Sequence, residues 1–220
     1  MGLLTLSSNC IQNPFKVVSD MGNFCQLSSC KRGSPFHLQC FVMQREWSLH
    51  YPRWIIGDGQ PDRHVGDIFD WFAVDFWGES QLVTASKKIA SAIAADDYQY
   101  HIVAEVTYLS ENSCVIDFGL PATGSRDSLP PQCVQGDYVS GEIKLELPLC
   151  IPMMPESVVA TQKHRWRVDR ISADITPHVA HPDSPRFFKR DESHIRYEDV
   201  TSTESVSAEM YVLHCSEVSA

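Results

Sequence analysis

The sequence predicts an all-β chain, mainly antiparallel, folded as an OB-like or otherwise curved β-barrel or as a sandwich, with about one helix and long loops. Three observations predict it. Residues 138–147 alternate strictly between apolar and polar. Residues 101–109 alternate too, and lead through a polar turn into a second apolar run. Two Gly-Asp pairs, Gly66-Asp67 and Gly136-Asp137, each stand directly before a strand-like run.

Alternation with period 2 puts one side of a strand in a core and the other in water. In the first run Val139, Gly141, Ile143, Leu145 and Leu147 share a face. Ser140, Glu142, Lys144 and Glu146 share the other. In the second run Ile102, Ala104, Val106 and Tyr108 face one way. Glu111-Asn112-Ser113 then turns the chain into Cys114 to Leu120, which completes a hairpin. Arg165 to Ile175 begins by alternating and slips phase at Arg170-Ile171, as a β-bulge requires. Ala208 to Val218 is a closing strand. The periodic runs add up to about 8 to 10 strands.

Residues 80–95 are rich in alanine and carry Leu82, Ile89 and Ile93, so helix propensity predicts a helix there. Asp96-Asp97 is a poor end for it, because acid at a helix C-terminus meets the wrong end of the dipole. Residues 121–135 and 177–205, with their prolines, are expected as loops.

The domain expectation is a loosely held arm over 1–42 and one antiparallel β domain over 43–220. The arm carries Lys16, Lys31 and Arg32 against Asp20, and shows no sustained period. Inside the domain, residues 52–77 echo residues 113–147. Each runs from an apolar strand through a glycine-bearing exit and a loop to a Gly-Asp turn and a further strand. Gly supplies the positive φ of such a turn, and Asp bonds back to nearby amides.

Lysine plus arginine is 18 and aspartate plus glutamate is 28, a formal charge of −10. That balance argues against a chain whose main task is to hold a phosphate backbone. There are eight cysteines and no CxxC, so a structural zinc site is not expected. Met1 to Leu6 has no basic segment, and no run approaches the length of a membrane helix, so the expectation is a cytoplasmic chain with reduced thiols and no membrane contact. No GxSxG, Walker loop, GxGxxG or HExxH occurs. No catalytic residue and no cofactor are assigned, and an enzyme is disfavoured. Cys133 and Cys215 are considered as nucleophiles, with buried structural roles preferred.

Candidate binding residues come from two places. Trp47 to Trp77 is dense in aromatics, and Trp54, Trp71 and Trp77 are its tryptophans most suited to anchor an interface. Phe69, Trp71 and Ala73 would share one strand face, and Phe72, Val74 and Phe76 the other. Packing inside the chain is preferred for them over an open aromatic surface. Arg165-Trp166-Arg167 is a basic island in an acidic domain, suited to a planar anion or to ion pairs within the chain. His178, His181 and Asp183 are weak metal candidates on a proline-rich loop.

Two functions follow as expectations. The first is a non-enzymatic acidic binding protein whose target is another, basic protein, as an inhibitor or immunity protein would be. The second is a single-stranded nucleic-acid binder that stacks bases on a barrel face, which the net charge opposes. An enzyme with a site assembled from loops is a third. Oligomeric state is left open.

Overall fold

The structure is a computed structural model that describes residues 46–71, 74–96, 98–148, 154–181 and 184–218. The expected arm over 1–42 lies outside the described residues, as do Cys10, Cys25, Cys30, Cys40 and Cys150.

Among the described residues the first strand is β1 (Glu46–Pro52), followed by a 3-10 turn at Arg53–Ile55. Next come β2 (Ile68–Trp71), β3 (Asp75–Trp77), β4 (Val83–Thr84) and β5 (Ser91–Asp96). The long β6 (Gln99–Leu109), β7 (Ser113–Asp117), β8 (Pro121–Ser125) and β9 (Tyr138–Glu146) follow. A five-residue helix α1 (Glu156–Ala160) precedes β10 (His164–Asp174). The chain ends through β11 (His178–His181), β12 (Ser184–Arg190), β13 (Tyr197–Val200) and β14 (Met210–Glu217).

Twelve strands make one sheet, and β11 and β12 form a separate ribbon. β9, β3, β8, β7 and β6 close on themselves through the β9–β6 pairing, giving a five-stranded barrel. The predicted all-β barrel is therefore present. From β9 the sheet continues through β1 and β14 to β10 and β13. The join is a parallel bridge, His50 to Glu146.

The alternation of β9 sets this arrangement. Val139, Ile143 and Leu145 are fully enclosed, and the polar residues between them point outward. Tyr51, Tyr100, Trp166 and Tyr211 are the largest enclosed side chains. The three tyrosine hydroxyls are satisfied: Tyr51 donates to the Pro61 carbonyl at 2.6 Å, Tyr211 donates to that of Thr203 at 2.7 Å, and Tyr100 accepts from the Ser48 amide at 2.7 Å, whereas the Trp166 indole N–H has no partner among the described residues. A buried polar tip without such a partner would cost about 1–3 kcal/mol.

The two Gly-Asp turns are built alike, bond for bond. Gly66 has φ +94° and Gly136 has φ +90°. Asp67 accepts from the His64 amide at 2.8 Å, and Asp137 from the Val134 amide at 3.0 Å. The Gly66 amide donates to Val168 O, and the Val168 amide donates to Asp67 O. Likewise the Gly136 amide donates to Val106 O, and the Val106 amide to Asp137 O. Both receiving strands bulge immediately afterwards, between Val168 and Arg170 in β10 and between Val106 and Tyr108 in β6. The phase slip seen in the sequence near Arg170 is that bulge.

Four local expectations are corrected. Residues 80–95 are not helical: β4 pairs with β9, and β5 pairs with β6. Alanine is small enough to line a strand against Ile102 and Tyr100, and cross-strand pairing overrides its propensity. The α-helix lies at Glu156–Ala160 instead. Residues 121–125 are strand β8 rather than loop, because the hairpin partner β7 supplies their ladder. The stretch 177–205 holds β11, β12 and β13, where charged side chains ride on pairing the backbone provides. Trp54-Ile55-Ile56 is not a strand: it includes the 3-10 turn that follows β1.

Candidate functional site

One face of the extended sheet gathers polar side chains from strands far apart in sequence. Its centre is the junction where β9 meets both β1 and β3. Asp75 sits opposite Glu146 across β3 and β9. Glu146 Oε2 lies 2.9 Å from His50 Nδ1. The His50 ring stacks on Tyr98 at 5.0 Å between centroids. On the other side, Asp75 neighbours Thr123, whose hydroxyl donates to Gln162 at 2.7 Å in a buried contact. Burial first, and the Glu146 carboxylate second, push the Asp75 carboxyl up to about 7. Its Oδ1 is enclosed and has no hydrogen-bond partner among the described residues.

A second cluster lies along the same sheet. Ser48 on β1 faces His214 on β14, and its Oγ is 2.9 Å from Nδ1. That is a nucleophile-to-base distance. Arg170 Nη2, however, also donates to Nδ1, at 3.2 Å. With two donors on Nδ1 the ring proton sits on Nε2, which donates to Ser172 Oγ at 3.2 Å. Ser172 donates onward to Asp199 at 2.9 Å, and Arg170 braces Asp199 at 3.2 Å. The hydroxyls and the imidazole are spent on one another. Burial, with the Arg170 charge behind it, holds His214 down at about 4, so it is neutral at pH 7. The Ser172 hydrogen bond holds Asp199 below the usual carboxylate range.

The structure separates the sequence-derived candidates by exposure. Trp54, on the 3-10 turn, is 60% exposed. Trp77 is partly exposed, with the Lys144 ammonium 4.7 Å from its ring centre. Trp71 is half-buried against the core, and Trp166 is enclosed within it. Phe69 lies under the Arg63 guanidinium at 3.9 Å, and Val74 and Phe76 are buried. Of that aromatic run, Phe72 and Ala73 lie outside the described residues.

Arg165 pairs with Asp70 at 3.9 Å, and Arg167 with Asp169 at 2.7 Å. Other guanidiniums are committed as well. Arg53 donates to Thr203 O and Tyr211, Arg63 to Gln60, and Arg126 to the carbonyls of Pro130 and Pro131. Arg190 pairs with Asp174 at 2.8 Å. Carboxylates are left outward in return, Glu209 at 85% and Glu79 at 82% of side-chain exposure.

His178 lies 3.3 Å from Glu209. His181 closes β11, nothing further is described of its side chain, and Asp183 lies outside the described residues. Among the described residues no three His, Cys, Asp or Glu side chains converge as a metal site, and no helix is long and apolar enough to cross a membrane. Cys133 and Cys215 are buried, and burial raises both thiols, which leaves them poor nucleophiles.

Sequence reasoning missed both polar clusters. Asp75 did carry a signal, since it stands between Val74 and Phe76, both buried. No protein-family model, curated protein or solved structure matches this chain.

Proposed function

We propose that this chain is a non-enzymatic binding protein whose target is a basic protein. One observation carries the reading: Trp54 stands 60% exposed on the 3-10 turn that follows β1, in a chain of net charge −10. Its neighbour Arg53, exposed as a residue, donates its guanidinium to Thr203 O and the Tyr211 hydroxyl, while the Arg53 amide holds the Glu209 segment beside it. Asp58 lies in the next turn, over 57–59, and is exposed. An exposed aromatic ring on an acidic chain suits a partner that presents arginine or lysine, through ring–cation contact and ion pairs. The negative field of the whole chain speeds such an encounter.

The nucleic-acid reading draws support from the closed five-stranded barrel, a frame that oligonucleotide-binding modules also use. The outer barrel face opposes it. That face presents His101 against Glu142 and Tyr138 against Glu105, with Lys144 tied to Glu79. Stacking platforms need cations to follow a phosphate backbone. Here the exposed Lys87-Lys88 pair precedes β5, Lys189 lies on β12 and Arg196 precedes β13, while Arg165 and Arg167 on β10 pair with Asp70 and Asp169.

The test is calorimetry with an arginine-rich peptide, using the full chain and its Trp54→Ala variant. The expected result is binding by the wild type and at least about tenfold weaker binding by the variant, as for an interface anchor. Equal binding by both would remove Trp54 from the site, and no binding by either would remove the reading.

A further inference from the structure

We propose that a second copy of this chain docks along the open edge of β5, strand to strand and antiparallel, in a two-fold dimer. β5 ends the path of the large sheet, and among the described residues it pairs with β6 alone. Its side chains are arranged against the needs of the monomer. Ala92 sits opposite Ile102 and packs against the core, while Ile93 sits opposite His101 and turns outward. Ile93 is 66% exposed, and Ile89 just before the strand is 73% exposed. A fold that wanted only its own core would place isoleucine inside and alanine outside.

The other end of the sheet is β13, which carries Glu198 and Asp199. Such charges are how edge strands resist pairing. β5 has no charge between Lys88 and Asp96.

Charge selects the occupant. Lys87-Lys88 stands at one end of the segment and Asp96 at the other. A two-fold axis through Ala92 sets Lys88 of each copy beside Asp96 of the other, so the symmetry makes the pair twice. The same register puts Ile93 diagonal to Ile93 and Ile89 of the other copy, within reach on one face. The chain's net −10 opposes association, but charges farther than about 8–10 Å are largely screened at physiological salt, and the segment itself is balanced. A single strand pairing is a small interface, so the dimer is expected at micromolar concentrations. The inference does not rest on the basic-partner reading. The peptide can bind a monomer, and the dimer can form without the peptide.

Sedimentation equilibrium on the full chain from about 5 to about 200 µM tests it. The wild type should pass from monomer to dimer across that range. Ile93→Lys, at an exposed position, should stay monomeric with an unchanged circular dichroism spectrum. Lys88→Asp and Asp96→Lys should each weaken self-association about tenfold or more, and an equimolar mixture of the two should dimerise again, because opposite charges then meet. A wild type that stays monomeric throughout would overturn the proposal. So would a dimer indifferent to Ile93→Lys and both charge reversals, or two reversal variants that fail to complement each other. A foreign strand as the true occupant of this edge appears as the first of these results.

Discussion

Asp75 is held in a place where its charge is disfavoured. It lies between two buried apolar residues, opposite another carboxylate, with one oxygen unpartnered among the described residues. An acid whose folded value is raised binds its proton more tightly in the native state. Its stabilising contribution is complete below about pH 4 and is lost as pH climbs through about 7. A rise of this size corresponds to up to about 4 kcal/mol. Asp75→Asn keeps the shape and removes the titration. The variant should be more stable than wild type by about 1–3 kcal/mol at pH 8, with the gap closing near pH 4, in urea unfolding at the two values. His214 has the opposite sign. Its folded value is depressed, so its contribution is complete above about pH 6.5 and is lost as pH falls toward 4. Its imidazole resonances should therefore hold their neutral positions down to about pH 5.

At the scale of elements, the paired turns carry the tightest requirement. Gly66 and Gly136 occupy left-handed backbone that a side chain resists at about 1–2 kcal/mol. Gly66→Ala and Gly136→Ala should each lower stability by that amount, and by similar amounts, since the bonds around them match one for one. Unequal losses in thermal unfolding, with one variant near wild type, would break the equivalence. These turns were legible in the sequence because Gly and Asp have few other reasons to stand together before a strand. β9 was legible because its alternation has no helical alternative. β5 was not. Its alanines suit a helix by propensity, and its one isoleucine, Ile93, faces away from the core, so neither composition nor pattern marks it as a strand. Asp96-Asp97, unsuited to a helix end, was the available warning. The ribbon of β11 and β12 escaped because prolines and charges hide pairing that lies wholly in the backbone. The polar clusters escaped for a different reason. Ser48 and His214 are 166 positions apart, and only the register of β1 on β14 brings them together.

For the whole molecule, the decisive quantity is where the charge points. Arginines that looked available in the sequence, Arg165 and Arg167 among them, lie against carboxylates of their own chain. Arg53, Arg63 and Arg126 serve the protein's own acceptors. Acidic groups outnumber basic ones by ten, so the chain carries excess carboxylate. On the proposed function, this surface recognises cationic protein and repels nucleic acid. The most direct measurement is the affinity of the full chain for an arginine-rich peptide and for a mixed single-stranded oligonucleotide, each from about 20 to about 300 mM salt. On that reading, peptide binding should weaken steadily as salt rises, and the oligonucleotide should not quench tryptophan fluorescence even at the lowest salt. Oligonucleotide binding that falls with salt, alongside an inert peptide, would contradict it.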